Sequence, residues 1–124
     1  MTQMYEPWNP FSGPSPKVSI EALIDDWEGF RVLLRSHETN RLIRLTFSTQ
    51  IAYQNRDEGD LAGEASRSTG LGRGCFYVVA NSEFARRFAS DSARRFKEIK
   101  HFAIVTDADC IDVLAVDEPS VELL

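Results

Sequence analysis

Histidine and cysteine are scarce here, with two of each in 124 residues. So few leave an ordinary zinc site short of ligands. Cys75 and Cys110 both fall in apolar, strand-like runs, which reads as two buried thiols in a reducing cytosol. Positive charge is also in deficit: 14 Lys and Arg stand against 19 Asp and Glu, a formal net charge of -5. That balance argues against general nucleic-acid binding, whose affinity rests on cations neutralising phosphates. It argues equally against an anionic membrane surface, and it leaves a basic protein partner open. No stretch approaches the roughly 18 apolar residues a membrane helix needs. No basic segment followed by an apolar run marks a secretory signal, so a cytoplasmic location is expected. The length suits one domain with a single core.

Residues 1–17, MTQMYEPWNPFSGPSPK, read as an N-terminal arm. Pro7, Pro10, Pro14 and Pro16 cannot continue a helix or a central strand. Tyr5, Trp8 and Phe11 are interleaved with them. The arm is either a loose leader or a segment that docks through its aromatics, on the body or on a second copy as a route to a homo-oligomer. Residues 18–124 then form one α+β domain.

Within that domain VSIEALIDDW fits two periods. Val18, Ile20, Ala22 and Ile24 alternate as in a strand, while Ile20, Leu23, Ile24 and Trp27 fit a helix with Ser19 as cap and Gly29 as stop. The meander that follows favours the strand. FRVLLRSHETNRLIRLTF reads as a hairpin turning at Glu38-Thr39, with Phe30, Val32, Leu34, Ile43, Leu45 and Phe47 on one face. Arg31, Arg35, Arg44 and Thr46 take the wet face. QIAY extends the sheet until RDEGD leaves it. DLAGEASRSTGLGRG reads as a loop with at most one helical turn. CFYVVA is apolar on both faces, as a central strand is.

NSEFARRFASDSARRFKE is an amphipathic helix capped by Asn81. Phe84, Phe88 and Phe96 lie on one half and Arg86, Arg87, Arg94 and Arg95 on or beside the other, with Ser90–Ser92 as a candidate break. HFAIVTDADCIDVLAV is a second hairpin turning at Asp107–Asp109. His101, Ala103, Val105, Cys110, Asp112 and Leu114 share one of its faces. DEPSVELL is an acidic edge or loop. The expected fold is α+β: an antiparallel sheet of about five strands with one main amphipathic helix packed on one face.

Several patterns bear on chemistry. Asp57, Glu58 and Asp60 in RDEGD could offer oxygens to a hard cation, but Asp-Glu-Gly-Asp is also good turn chemistry. TDADCID fails the EF-hand pattern, since Ile111 stands where Asp or Asn belongs, and Asp107 and Asp109 read as turn residues. GLGRG has phosphate-loop spacing yet runs into a strand, where a phosphate loop must open a helix. In the hairpin register His101 and Asp112 are diagonal neighbours within hydrogen-bond reach. Cys110 lies farther off, so a Cys-His nucleophile pair is not formed. His37 belongs to a solvated turn. The arginine helix face lacks the aromatics that single-strand binders use. No cofactor and no metal are expected.

Two blocks together, LIRLTFSTQIAYQNRDEGD and KHFAIVTDADCIDVLAVDEP, with NSEFARRF between them, have a familiar form. The arrangement resembles small bacterial immunity proteins found beside polymorphic or contact-dependent toxins. The likeness covers residues 18–120 and leaves the arm outside. It implies a non-enzymatic binding protein that neutralises a cognate toxin one-to-one, and an acidic chain would suit a basic nuclease. On that reading expected exposure and charge, rather than the family pattern, put a partner surface at Tyr53, Arg56, Asp57, Glu58 and Asp60, extended by Asp107 and Asp109, with Tyr53 as anchor. Two other classes remain open: a small enzyme using His101, Asp112 and Cys110 or a carboxylate-metal site, and an oligomer-forming subunit.

Overall fold

The structure is a computed structural model that describes residues 2–65, 68–90 and 96–124. In chain order the elements begin with β1 (Gln3–Pro7), β2 (Val18–Asp26), β3 (Gly29–Ser36), β4 (Leu42–Phe47) and β5 (Gln50–Asp57). They continue with α1 (Glu58–Ala65), β6 (Ser68–Thr69), β7 (Phe76–Ala80) and α2 (Glu83–Ser90). A single 3-10 turn, Phe96–Glu98, precedes β8 (Lys100–Val105), β9 (Asp109–Ala115) and β10 (Ser120–Leu123). The α+β class holds, but the single sheet of about five strands is replaced by two sheets. One has six strands in the order β5-β9-β8-β7-β1-β6, the other four in the order β10-β4-β3-β2.

Burial explains why there are two. Along β3 and β4 buried and half-buried positions alternate strictly, as in a sheet with one dry face. Along β8 and β9 burial is nearly continuous, because the six-stranded sheet is covered on both faces. Its inner face sends Phe76, Phe102, Ile104, Ile111 and Val113 against Val32, Leu34, Ile43, Leu45 and Phe47 of the smaller sheet. The outer face packs against the helices: Leu61 of α1 joins Tyr5, Tyr77 and Cys110, while Ala85 of α2 joins Leu114 and Ile99.

The first hairpin turns where the alternation requires, with Leu34 opposite Ile43 and Phe30 opposite Phe47. The ambiguous segment 18–27 is strand through Asp26, paired with β3 and bulged between Ile20 and Ala22. QIAY does not extend that meander. After the turn at Ser48-Thr49 the chain crosses to the other sheet, and β5 pairs with β9. Part of the stretch expected to be a loop belongs to the two-turn helix α1, so among the described residues there are two α-helices rather than one main one. Ser82, not Asn81, caps α2: its hydroxyl accepts the Ala85 N–H at 3.0 Å. Asn81 instead takes the left-handed conformation that asparagine tolerates, at φ 55. The helix is described through Ser90, and the expected continuation through 91–95, including Arg94 and Arg95, lies outside the described residues.

The N-terminal segment set apart as an arm supplies a strand. β1 runs antiparallel to β7 and parallel to β6. Trp8 packs on Phe102 and Phe76, and Phe11 on Phe76. The prolines permit this because Pro7 sits at the strand's last position. Cys75 and Cys110 are free and buried. Among the described residues no helix is long and apolar enough to cross a membrane.

Candidate functional site

The outer face of the six-stranded sheet carries a buried polar network. Strand alternation places it: Gln3 and Tyr5 on β1, Gln54 and Arg56 on β5, His101 on β8, and Cys110 and Asp112 on β9 all point toward the helices. Asp112 lies at its centre with no exposure. Its Oδ1 faces His101 Nε2 at 2.6 Å, and its Oδ2 accepts from Arg56 Nε at 2.7 Å and Gln54 Nε2 at 3.1 Å. Arg56 also pairs with Glu64 of α1. Glu64 Oε1 in turn accepts from Tyr5 OH and Gln3 Nε2, each at 2.5 Å.

His101 connects this cluster to α2. Its Nδ1 lies 2.6 Å from Ser82 Oγ. That oxygen also accepts the Ala85 N–H, so one hydroxyl ties the imidazole to the helix cap. On the ring's other side Nε2–H donates to Asp112. The diagonal His101–Asp112 contact expected from the hairpin register is formed: His101 sits opposite Leu114, and Asp112 opposite Ala103.

Ser82, His101 and Asp112 thus form a hydrogen-bonded chain of the residue types that serve nucleophilic catalysis. The setting is a core, however. Ser82 and His101 are each 2 % exposed, the serine is committed as a helix cap, and neither residue lines the open clefts at Pro10–Pro16 or at 72–75. The Cys110 sulfur meets Arg56 NH2 and Asp112 Oδ1, each at 3.7 Å. Burial pushes its thiol up, and the Asp112 charge adds to this, so it is no thiolate nucleophile. Burial likewise raises the Tyr5 phenol, reinforced by its bond to Glu64.

Burial pulls Arg56 down, but the charge of Asp112 and bonds to Tyr5 and Asp112 outweigh it and hold the guanidinium protonated. For Asp112 burial again opposes the charge. The His101 hydrogen bond, then the His101 and Arg56 charges and the Gln54 bond, win and lower its pKa. With the folded pKa below the unfolded one, the unfolded state binds the extra proton. Asp112's contribution to stability is therefore complete above about pH 4 and lost as pH falls through its folded value. Urea unfolding followed downward from neutral pH should show this loss below about pH 4, and Asp112→Asn should flatten it. An equally steep fall in the variant would assign the acid sensitivity elsewhere.

Comparison with family models, with curated proteins and with solved structures finds no match to this chain.

The residues expected at a partner surface are divided. Arg56 turns inward, as above. Asp57 follows it onto the other face and caps α1, its Oδ1 accepting the Asp60 N–H at 3.0 Å. The β5–β9 register sets Asp57 opposite Asp109, and Glu58 N–H bonds Ala108 O at 3.2 Å. Asp57, Glu58, Asp60, Asp107 and Asp109 are thereby gathered at one corner. Among the described residues the Glu58, Asp60 and Asp107 carboxylates have no ion-pair partner. No set of three His, Cys, Asp or Glu among the described residues is arranged to hold a metal.

Tyr53 lies away from that corner, stacked on Phe30 with ring centroids 4.4 Å apart and 38 % exposed. It belongs to the opposite end, where Trp27 occupies a two-residue loop between paired Asp26 and Gly29 and is 91 % exposed. Asp26 Oδ1 accepts the Glu28 N–H at 2.9 Å and Arg31 NH2 at 2.6 Å, and Arg31 also reaches Glu28. The tip is therefore clamped rather than loose. Val116, 36 % exposed, lies at the same end, tied to Thr49. Exposed Asp25, Asp26, Glu28, Asp117 and Glu118 surround these apolar groups. Sequence reasoning missed Trp27 because a helical period counts it as core. The sign available was Gly29 two residues on, a turn residue, here at φ 116.

Proposed function

We propose that this chain is a non-catalytic protein-binding module that docks a basic partner through the end bearing Trp27. The single observation that carries this reading is the exposure of Trp27 on a clamped hairpin tip. A large aromatic held in water by a rigid turn is an anchor that loses little conformational freedom on docking. Its acidic surroundings fit a partner with an apolar slot and a cationic rim. The net charge of -5 supports the same partner chemistry. The form we favour is that of an immunity protein, which neutralises a cognate basic toxin by one-to-one binding. A second surface is favoured by the strand register, which gathers five carboxylates at the Asp57–Asp109 corner.

Tagged protein used to capture partners from lysate of its own source should retain one basic protein through a moderate-salt wash. Trp27→Ala should weaken that complex about thirtyfold, a hot-spot loss of roughly 2 kcal/mol, mainly through faster dissociation. Charge reversal of Asp57, Glu58 and Asp60 should then have the smaller effect. If reversal abolishes capture and Trp27→Ala does not, the corner is the docking surface. No captured protein at low or moderate salt removes the protein-binding reading.

A further inference from the structure

The two sheets part at the end opposite Trp27 and leave an open cleft of about 430 Å³. That is within the usual size of small-molecule sites, roughly 300–1,000 Å³. One wall comes from the smaller sheet, at Lys17, Val18 and His37. The other comes from the 72–75 segment and the β8–β9 turn.

We infer that this cleft binds a small organic anion, a phosphate monoester or carboxylate with an apolar body, held by Lys17, Arg73 and His37. Four arginines are consumed by carboxylates: Arg31, Arg35, Arg44 and Arg56 are all ion-paired. Among the described residues the Lys17 ammonium and the Arg73 guanidinium have no such partner, yet both line one cleft. His37 is fixed beside Lys17 by its N–H to Lys17 O at 2.9 Å. Ser19 Oγ lies 2.8 Å from its Nε2 and holds the ring. The glycine-rich wall has no side chain at Gly72 or Gly74 to fill the space. It is anchored from behind, where Gly72 N–H donates to Tyr77 OH at 3.0 Å.

The floor decides the ligand class. Val18 and Cys75 lie buried beneath the cleft, and half-buried Val105 presents apolar surface beside the cations, so a bare anion would leave that surface wet. Asp107 on the rim, at the edge of the acidic corner, sets negative charge against the cations. It penalises highly charged polyanions and favours a ligand of one or two charges. The cleft lies away from the Trp27 end, so a ligand here requires no protein partner there.

The test is a titration of the intact chain with phenyl phosphate, followed through backbone amide chemical shifts. Saturable one-to-one shifts at residues 72–74 and 106–107 are expected, with Kd about a millimolar or tighter. Inorganic phosphate should bind more weakly, and benzyl alcohol should produce no saturable shift at these amides. Lys17→Glu and Arg73→Glu should each weaken phenyl phosphate about tenfold or more, as loss of a charge-assisted bond does. Lys100→Glu, an exposed cation outside the cleft, should not. All three changes lie at exposed positions, so the amide spectrum itself verifies the fold. Absence of saturable shifts up to about 10 mM, or binding unchanged in both cleft variants, would overturn the site. Inorganic phosphate binding as tightly as phenyl phosphate would overturn the assigned ligand class.

Discussion

Replacing Arg56 with methionine is expected to cost the fold about 3–5 kcal/mol, the range for removing one partner from a buried ion pair. Arg56 bridges Asp112, on the central hairpin, and Glu64, on α1. Its loss leaves two carboxylates in one compartment with no cation fixed between them. Asp112 is wholly buried, and the Glu64 side chain is only 14 % exposed. Methionine keeps much of the stem's packing, so the effect reports the charge. Arg56→Lys should recover little, because a single ammonium cannot span Asp112, Glu64 and the Cys110 sulfur as the forked guanidinium does. Urea unfolding at neutral pH measures both. The matched comparison is Arg44→Met, whose partner Glu122 is on the surface; that change should be small. A loss at Arg56 no greater than at Arg44 would show that water reaches the cluster and screens it.

The second large effect is expected at Gly70, where alanine should cost about 3 kcal/mol or more from backbone strain and overlap together. Gly70 has φ +87, a conformation L residues rarely adopt. A Cβ built there collides with the carbonyl oxygen of Tyr5, backbone that cannot swing away. That carbonyl belongs to β1, whose side chains Gln3 and Tyr5 close the polar network over Glu64. The substitution should therefore loosen β1 from β6 and β7, seen as faster amide exchange at residues 3–7 along with a lowered urea midpoint. Gly13→Ala is the control, since it has open space and no positive φ. Equal behaviour of the two variants would mean that β1 does not depend on the close passage at Gly70.

Arg56 and the β1 passage are both concealed in the sequence, for a physical reason. In RDEGD an arginine beside three acids looks like one polar surface. A strand reverses its facing at each residue, so Arg56 goes into the core while Asp57 goes to the rim. Which face is dry depends on α1 lying over it. In the N-terminal segment the prolines mask a strand that is only five residues long and ends on one of them. Trp27 fits a helical period, and only pairing of β2 with β3 turns it into an uncovered loop residue. Lys17, His37 and Arg73 come from three segments far apart in the chain, and no local pattern relates them.

What the chain's own sequence determined is the local order. Strict alternation set the register of the first hairpin, because slipping it by one residue would send every apolar side chain to the wrong face. In the second hairpin the turn at Asp107–Asp109 set the register and so paired His101 with Asp112. Apolar character on both faces marked β7 as central. Tertiary structure alone decided that there are two sheets, since β5 has edges to choose between after Thr49 and the choice is made by β9 far along the chain. It alone decided which polar residues are buried together and which end of the molecule presents an aromatic to solvent. Those outcomes depend on what covers each face, and that information is spread over contacts between distant segments rather than carried by any one of them.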